Sequence, residues 1–592
     1  MSTGNAFFLD IEQSLGGKSW RHGSGDDRLV QAFVQRHAIP EILAEVLANR
    51  DIPLEQVESY LTPRLKDQLP DPSSFRDMDR AAEEIAAHIV GGKHIAVFGD
   101  YDVDGATSSA LILRYVAAAG GHASSYIPDR IAEGYGPNIA ALKKLANDGS
   151  DLIVTVDCGT AAFDALDAAA DAGIPVIVVD HHLAEDQLPK ALAIVNPNRL
   201  DCSAGHENLA AVGVTFLLLI AVNRALRARG WFSERREPNL LAMLDLVAVG
   251  TVCDVVPLTG LNRAFVAQGL KVMAERRQLG LMTLGDIARL TGPPSTYHAG
   301  FLIGPRLNAG GRVGKSDLGV RLLTTDDQQE ATAIALELDR LNDERRRIEQ
   351  AVLEEALALA ERQDNRAVTL VHAEGWHPGV IGIVASRLKD RTGKPAIVIA
   401  TDGATGKGSG RSIRGVDLGA AVTAARQAGL LINGGGHVMA AGLTVESGRI
   451  EALGDFLDHR LAESVGAAGR SKSLTIDGAV SARGITADLV QDLERAGPYG
   501  AGNPEPRVAV TDCTLVKADI VGGQHVKLIA SGKSGGRVEA ISFRSAETQF
   551  GAALLGRARD RRPVHLAGHL RINHWGGRET VQLTVEDAAD PA

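Results

Sequence analysis

Three apolar, strand-like runs in the first third of the chain each stop at an aspartate. Ile95-Ala96-Val97-Phe98 leads into Gly99-Asp100-Tyr101-Asp102-Val103-Asp104-Gly105. Leu152-Ile153-Val154-Thr155-Val156 leads into Asp157-Cys158-Gly159-Thr160, and Val176-Ile177-Val178-Val179 into Asp180-His181-His182. Helical segments follow the strands, over 107–119 and 161–172, which predicts an open parallel α/β sheet. In such sheets ligands bind beyond the carboxyl ends of the strands, so these acids are expected in one crevice. That many carboxylates share a small volume only with positive charge among them, and a divalent metal is the simplest source.

With 592 residues the chain exceeds one hydrophobic core, and several domains are expected. Residues 1–80 read as a helical lead-in, with Leu29–Val34 and Ile42–Leu47 at helical spacing, closed by Leu69-Pro70-Asp71-Pro72-Ser73-Ser74. Residues 81–325 form the first α/β domain. Residues 326–362 carry one amphipathic stripe (Leu338, Leu341, Ile348, Val352, Leu359) and predict a long connector helix, two helices with a break being the alternative. A second α/β domain is expected over 363–470. Over 471–592 short alternating strands, separated by turns such as Gly522-Gly523 and Gly576-Gly577, predict a small β-barrel.

The net charge of −11 argues at first against a polyanionic partner. A local basic groove can coexist with an acidic exterior, and part of the excess is the acidic site itself. Four scattered cysteines form no metal pair and no disulfide framework. The N-terminus lacks a basic and apolar leader, and the longest apolar run, Val212 to Val222, is short for a membrane span. The expectation is a soluble cytoplasmic protein with no membrane partner.

Asp102 and Asp104 stand two apart in a glycine-bounded loop and can reach adjacent metal positions, with Asp157 placed to bridge them. His181 offers an imidazole that Asp180 could brace, and Asp254 closes the shell from a helix end. One histidine among carboxylates suits Mn²⁺ better than Mg²⁺. Two ions about 3.5–4 Å apart would support in-line phosphoryl displacement. Each acid alone is more often a cap or turn former; their combination is the specific signal. His182 reads as a hydrogen bonder rather than a ligand. Downstream, Ser409-Gly410-Arg411-Ser412, Gly434-Gly435-Gly436-His437 and His377-Pro378-Gly379 suit phosphate oxygens through a hydroxyl, an arginine fork and close backbone approach. Facing the first domain across the connector, they suggest a cleft one strand wide that excludes duplex. In the barrel, Lys527, Arg544, Arg571 and Trp575 are candidates for the strand beyond it.

Around these residues the sequence resembles the DHH phosphoesterase superfamily, named for the triplet found here as Asp180-His181-His182. Within it, the motif order is similar to the RecJ-type single-stranded-DNA-specific exonucleases. The resemblance runs through Gly99 to Gly105, Arg130-Ile131-Ala132-Glu133-Gly134-Tyr135-Gly136, Val156 to Thr160, Gly250 to Leu258 and Arg306-Leu307-Asn308-Ala309-Gly310-Gly311-Arg312. It continues through Glu374 to Gly379 and Gly434 to His437, similar to motifs of a DHH-associated domain. Pro498 to Pro506 resembles the entry to an OB-type domain.

The resemblance implies a parallel-sheet DHH domain and a second α/β domain joined by a long helix, plus a C-terminal OB-type barrel. It implies stepwise 5′-to-3′ hydrolysis of single-stranded DNA to 5′-mononucleotides in recombination and repair. Single-stranded-DNA-binding protein and a helicase are expected partners. The catalytic set is Asp102, Asp104, Asp157, His181, His182 and Asp254. All of these except His182 are also metal ligands for two Mn²⁺ or Mg²⁺ ions. The substrate-binding set is Arg130, Asn308, Arg312, His377, Ser409, Arg411, Gly435, Gly436 and His437. Many superfamily relatives carry a histidine where Phe98 stands, which leaves the second ion one ligand short, with Asp100 as the candidate replacement. Two other readings are a hydrolase of oligoribonucleotides or cyclic dinucleotides, and a non-catalytic single-strand-binding scaffold. The barrel speaks against the former and the intact acidic set against the latter.

Overall fold

The computed structural model describes residues 7–130, 133–363, 365–469, 473–575 and 578–591. The chain divides into two units, one built from Leu69–Val256 and Gln268–Ser471, the other from Met1–Gln68, Pro257–Ala267 and Lys472–Ala592.

The first unit contains two sheets. Strands β1 (His94–Gly99), β2 (His122–Tyr126), β3 (Leu152–Val156), β4 (Val176–Val179) and β5 (Ala193–Val195) lie in the order β2-β1-β3-β4-β5. Every pairing is parallel, with Ile95 opposite Leu152 and Ile153 opposite Val176. β3 and β4 are buried along their whole length, which explains their unbroken apolar sequences. Connections run to opposite sides of β1, so the gap between the carboxyl ends of β1 and β3 is a topological switch point. Phe98 is fully buried in this core and stacks on Tyr126 at 5.5 Å.

Helix α1 (Val103–Ala118) starts directly after β1, capped by Asp102, whose Oδ1 accepts from Gly105 N at 3.1 Å. A Cβ on Gly105 would stand 2.5 Å from the Asp100 carbonyl oxygen, so only glycine lets the helix start this close to the loop. Helix α2 (Ala211–Ala228) is long and apolar enough to cross a membrane by composition alone, yet 78% of it is buried within the fold. Helix α3 (Leu244–Cys253) ends at Asp254, and α4 (Gly304–Val313) carries Arg312.

The connector is a single helix, α5 (Gln328–Ala360), of 33 residues, started by Asp327 accepting from Gln329 N and Glu330 N. Ala331, Ile334, Ala335, Leu338 and Leu341 are buried towards one end and Val352, Leu353, Ala356 and Ala360 towards the other.

The second sheet comprises β6 (Thr369–Glu374), β7 (Ala396–Asp402), β8 (Thr405–Arg411), β9 (Asn433–His437) and β10 (Ala440–Glu446), in the order β9-β10-β8-β7-β6. Only β6 and β7 pair in parallel. Helix α6 (Ile381–Thr392) follows β6, and α7 (Leu418–Gln427) follows β8. The glycine-rich runs expected to approach phosphate oxygens lie on strands. Gly406, Gly408 and Gly410 alternate because a Cβ at each would meet Ile399, Leu443 or Leu418 at 2.6–2.7 Å. That requirement leaves Lys407, Ser409 and Arg411 on the opposite face. Gly434 to His437 forms the edge strand β9, paired on one side with β10.

The second unit holds the barrel. Strands Val508–Val521, His525–Gly532, Arg537–Ser542, Arg578–Ala589 and Pro563–Trp575 pair in that order, and Pro563–Trp575 returns to Val508–Val521 to close it. The segment expected as a separate helical lead-in shares this core. Phe33, Leu43, Leu47 and Val57 cluster with Val510, Leu528, Leu566 and Leu583, and Ser19–His22 pairs in parallel with Ser473–Ile476. Sequence could not show this, because a helix's apolar stripe does not say which partner covers it. Deleting residues after 470 is therefore expected to expose the lead-in's apolar face and give aggregated protein. Solubility and light scattering of the truncated chain check this; a monodisperse, folded product would refute the shared core.

Candidate active site

The three strand-end aspartates stand at one level of the first sheet. The amide of Asp100 donates to Val156 O, that of Asp157 to Val179 O, and that of Asp180 to Val195 O, each extending the ladder to the next strand. Their side chains, with those following, meet at the β1–β3 switch point.

Donor atoms of Asp100, Asp102 and Asp157 lie within 4.8 Å of one another, as do those of Asp104, His181 and Asp254, and those of Asp157, His181 and His182. His181 Nε2 is 3.3 Å from Asp157 Oδ1 and 3.6 Å from Asp254 Oδ2. It is buried and aligned for a hydrogen bond with neither, and Asp100 Oδ1 and Asp254 Oδ2 are likewise buried without a partner. Donors gathered without bonding to one another fit a divalent cation. Asp104 is held at the N-terminus of α2, its Oδ2 accepting from Ala211 N at 2.7 Å and its Oδ1 from Val212 N at 2.9 Å.

Burial drives the carboxyls of Asp100, Asp104, Asp157 and Asp254 above the ordinary range, and the neighbouring carboxylates add to the effect at each. Asp157 also has φ +61°, left-handed backbone that costs a non-glycine residue about 1–3 kcal/mol. Strain and crowded charge at one residue mark a position kept for chemistry rather than packing.

Asp180 braces a different ring from the one expected. Its Oδ1 contacts His182 Nδ1 at 2.8 Å and accepts from the amides of His181 and His182, while Oδ2 accepts from Thr160 N. Side chains two apart lie on one side of an extended chain, so Asp180 meets His182 and leaves His181 to Asp157 and Asp254. Burial opposes charge on both partners of this pair, but their contact wins. The Asp180 carboxyl is held well below its ordinary value and the His182 imidazole is lifted to about 9. The Tyr135 hydroxyl lies 3.4 Å from the His182 ring and donates to the Asp157 carbonyl at 3.2 Å.

Beside this centre lies a cavity of about 720 Å³ with no acidic residue among its described lining. Arg130 and Arg312 line it from the first domain, and Lys407, Ser409, Arg411, Asn433 and Gly435 from the second. Arg130 packs over the ring of Tyr101, between Asp100 and Asp102, which joins the cavity to the acidic crevice. Arg312 donates to Gly379 O at 3.0 Å. Burial and the nearby Arg130 push its guanidinium down to about 10, and act in the same direction on Arg411. Gly435 pairs with Gly442, and the space where a Cβ would stand is open at both.

Sequence reasoning placed Arg130, Arg312, Ser409, Arg411 and Gly435 here. It missed Lys407, which its two-residue spacing from Ser409 signals, and Ser386 and Asn433, for which no pattern exists. Four candidates are not among the residues that line the cavity. Gly436 and His437 line a separate hollow with Asp417 and Arg460, because they stand at the far end of β9. The His377 Nδ1 accepts from Gly379 N and shapes the turn into α6. Asn308 sits half-buried one turn before Arg312. Ile131, Ala132, the Gly576-Gly577 turn and the Trp575 side chain lie outside the described residues. In the barrel, Lys527 and Arg571 are paired with Glu539 and Glu505. Arg544 is exposed at a left-handed turn.

Three family models match the chain: the DHH family N-terminal domain over 94–251, the DHHA1 domain over 364–463 and the RecJ OB domain over 476–587. The protein of Salmonella typhimurium named single-stranded-DNA-specific exonuclease RecJ is 38% identical over 564 residues, 93% of this chain and 96% of that one. A crystal structure of RecJ in complex with Mn²⁺ from Thermus thermophilus superposes with TM-score 0.80 at 29% identity, covering 97% of this chain and 80% of that one. Its Mg²⁺ counterpart gives TM-score 0.74 at 28% identity, covering 97% of this chain and 78% of that one.

Proposed function

The chain belongs to the RecJ family of single-stranded-DNA-specific exonucleases, and from that membership we propose that the acidic crevice hydrolyses phosphodiester bonds of single-stranded DNA with Mn²⁺ or Mg²⁺ bound. The observation that carries this reading is the gathering of donors from β1, β3, β4 and α3, buried and unbonded to one another. Asp102, Asp104, Asp157, His181 and Asp254 would hold two ions, with Asp100 in the place that Phe98 cannot fill. Divalent ions supply there an activated water and charge stabilisation at the leaving oxygen. Asp157 and His181 each belong to two of the three donor groups, and Asp157, whose carboxylate has two oxygens where the imidazole offers one nitrogen, is the bridging candidate. His182, braced by Asp180, is placed to donate to phosphate oxygens.

The cavity beside the crevice would hold a terminal phosphate between Arg130, Arg312 and Lys407, with Ser409 and Arg411 as hydrogen-bond donors. A terminal phosphate seated one step from the ions would make each cut release one nucleotide. Its identity as the 5′ end rests on the family. A single-strand-specific enzyme needs its strand opened, so a helicase and a single-stranded-DNA-binding protein in the cytoplasm are the partners this reading calls for, in recombination and repair.

Arg411→Ala is expected to weaken binding of 5′-phosphorylated strands on the order of ten- to a hundredfold, the scale of one charge-assisted pair. Strands ending in a 5′-hydroxyl should be nearly unaffected. Competition binding of both ends checks this, and equal losses would contradict the assignment. Time courses on 5′- and 3′-labelled single strands, duplexes and dinucleotides with Mn²⁺ test the activity itself. Equal degradation of duplex would overturn it.

A further inference from the structure

The connector helix α5 carries a charged cluster that the proposed chemistry does not use. Glu349 is 1% exposed, Arg345 8% and Asn342 fully buried. Arg345 donates to Glu349 Oε2 at 2.5 Å and to Asn342 Oδ1 at 3.0 Å. Glu349 Oε1 meets Arg387 Nε at 2.6 Å, a charge contact without hydrogen-bond alignment. Arg387 lies on α6, one residue past Ser386, and α6 supplies Ile381, Gly382, Ile383 and Ser386 to the wall of the phosphate cavity. Arg345 lies close enough to Arg312 to disfavour its charge. Ten residues earlier on α5, Asp339 bonds Arg306 of α4, the helix that carries Arg312, at 2.8 Å.

A buried carboxylate behind an anion site opposes the charge that the site needs. Nor does stability call for it, since apolar residues of similar volume commonly replace buried ion pairs at no loss. What a buried pair can supply is a fixed geometry. Glu349 stands between Arg345 and Arg387, which would otherwise repel one another, and Arg345 in turn opposes the charge of Arg312.

We propose that Glu349 is a positioning residue, which draws Arg387 onto the connector and so holds α6 at the distance from Arg312 that fits one terminal phosphate. This rests on the cavity being the terminal-phosphate site. Loss of the contact would let α6 recede, loosening the ground-state grip on the phosphate while leaving the acidic crevice intact.

Glu349→Gln keeps the shape and removes the charge. With full-length protein and a 5′-phosphorylated single strand, KM is expected to rise on the order of tenfold with kcat within about twofold of wild type. The preference for a phosphorylated over a hydroxyl 5′ end should shrink in proportion. Arg387→Gln removes the same contact from a half-exposed side chain that folding tolerates, and must give the same rise. The double variant must be no worse than either single one. Wild-type KM in Arg387→Gln overturns the proposal, as does a loss confined to kcat or equal losses on both kinds of end. A wild type that ignores the 5′-phosphate would refute the cavity reading. Discrimination by wild type that survives in both variants would refute only the role of Glu349.

Discussion

Asp157→Ala is expected to reduce hydrolysis of single-stranded DNA on the order of a thousandfold or more while binding of the strand survives. The residue belongs to two of the three donor groups, one with Asp100 and Asp102 and one with His181 and His182, so its removal takes a ligand from both at once. The cavity that would grip the terminal phosphate uses none of its atoms. Alanine must also adopt the left-handed conformation seen at φ +61°, at about 1–2 kcal/mol. Asp157→Asn is the cleaner partner variant, because asparagine tolerates that backbone and still lacks the charge. Both should bind a 5′-phosphorylated oligonucleotide with near wild-type affinity in fluorescence anisotropy. Turnover near the wild-type rate in the asparagine variant would end the bridging assignment.

Removing divalent metal should abolish activity and also make the protein's stability fall as pH rises. Asp100, Asp104, Asp157 and Asp254 all have carboxyls raised first by burial, with the neighbouring Asp102 carboxylate adding to the effect at each. In metal-free protein such groups favour folding while protonated. Their contribution is complete below the ordinary carboxylate range near 4 and is lost as pH climbs through the raised native values. His182, raised to about 9, acts in the same direction over neutral pH. Asp180 has the opposite sign, but its depressed value confines that effect to strongly acid solution. A bound ion reverses the balance by favouring the ionised carboxylates. The gain on adding Mn²⁺ should therefore widen between pH 5.5 and 7.5, approaching about 2.7 kcal/mol with the ion at about a hundred times its dissociation constant. Thermal melts with chelator or Mn²⁺ at both pH values check this. A gap that stays constant or narrows would show that the acids are not the ion's ligands.

The first domain was legible in sequence because its signals are local. An apolar run that ends at an acid fixes both a buried strand and the end at which its chemistry sits, so β1, β3 and β4 and the grouping of their acids follow from the residues alone. The long amphipathic stripe of α5 was legible for the same reason. The second domain was less so. Nothing local marks Gly406, Gly408 and Gly410 as strand residues, because glycine has no strand preference of its own, and only contact with Ile399, Leu443 and Leu418 makes it the required residue. Gly436 and His437 shared a motif with Gly435 yet face a different hollow, since a motif fixes neighbours along the chain and not the side on which they fall.

By itself the sequence determined the parallel sheet, the acids at its carboxyl edge, the connector and the barrel, because alternation, continuous apolarity and capping act over a few residues at a time. Tertiary structure alone decided which ring Asp180 braces, where the N-terminal helices bury their apolar stripe, and that Glu349 stands between Arg345 and Arg387. Those contacts join residues two to more than five hundred positions apart, and no local preference encodes which of many compatible surfaces will meet.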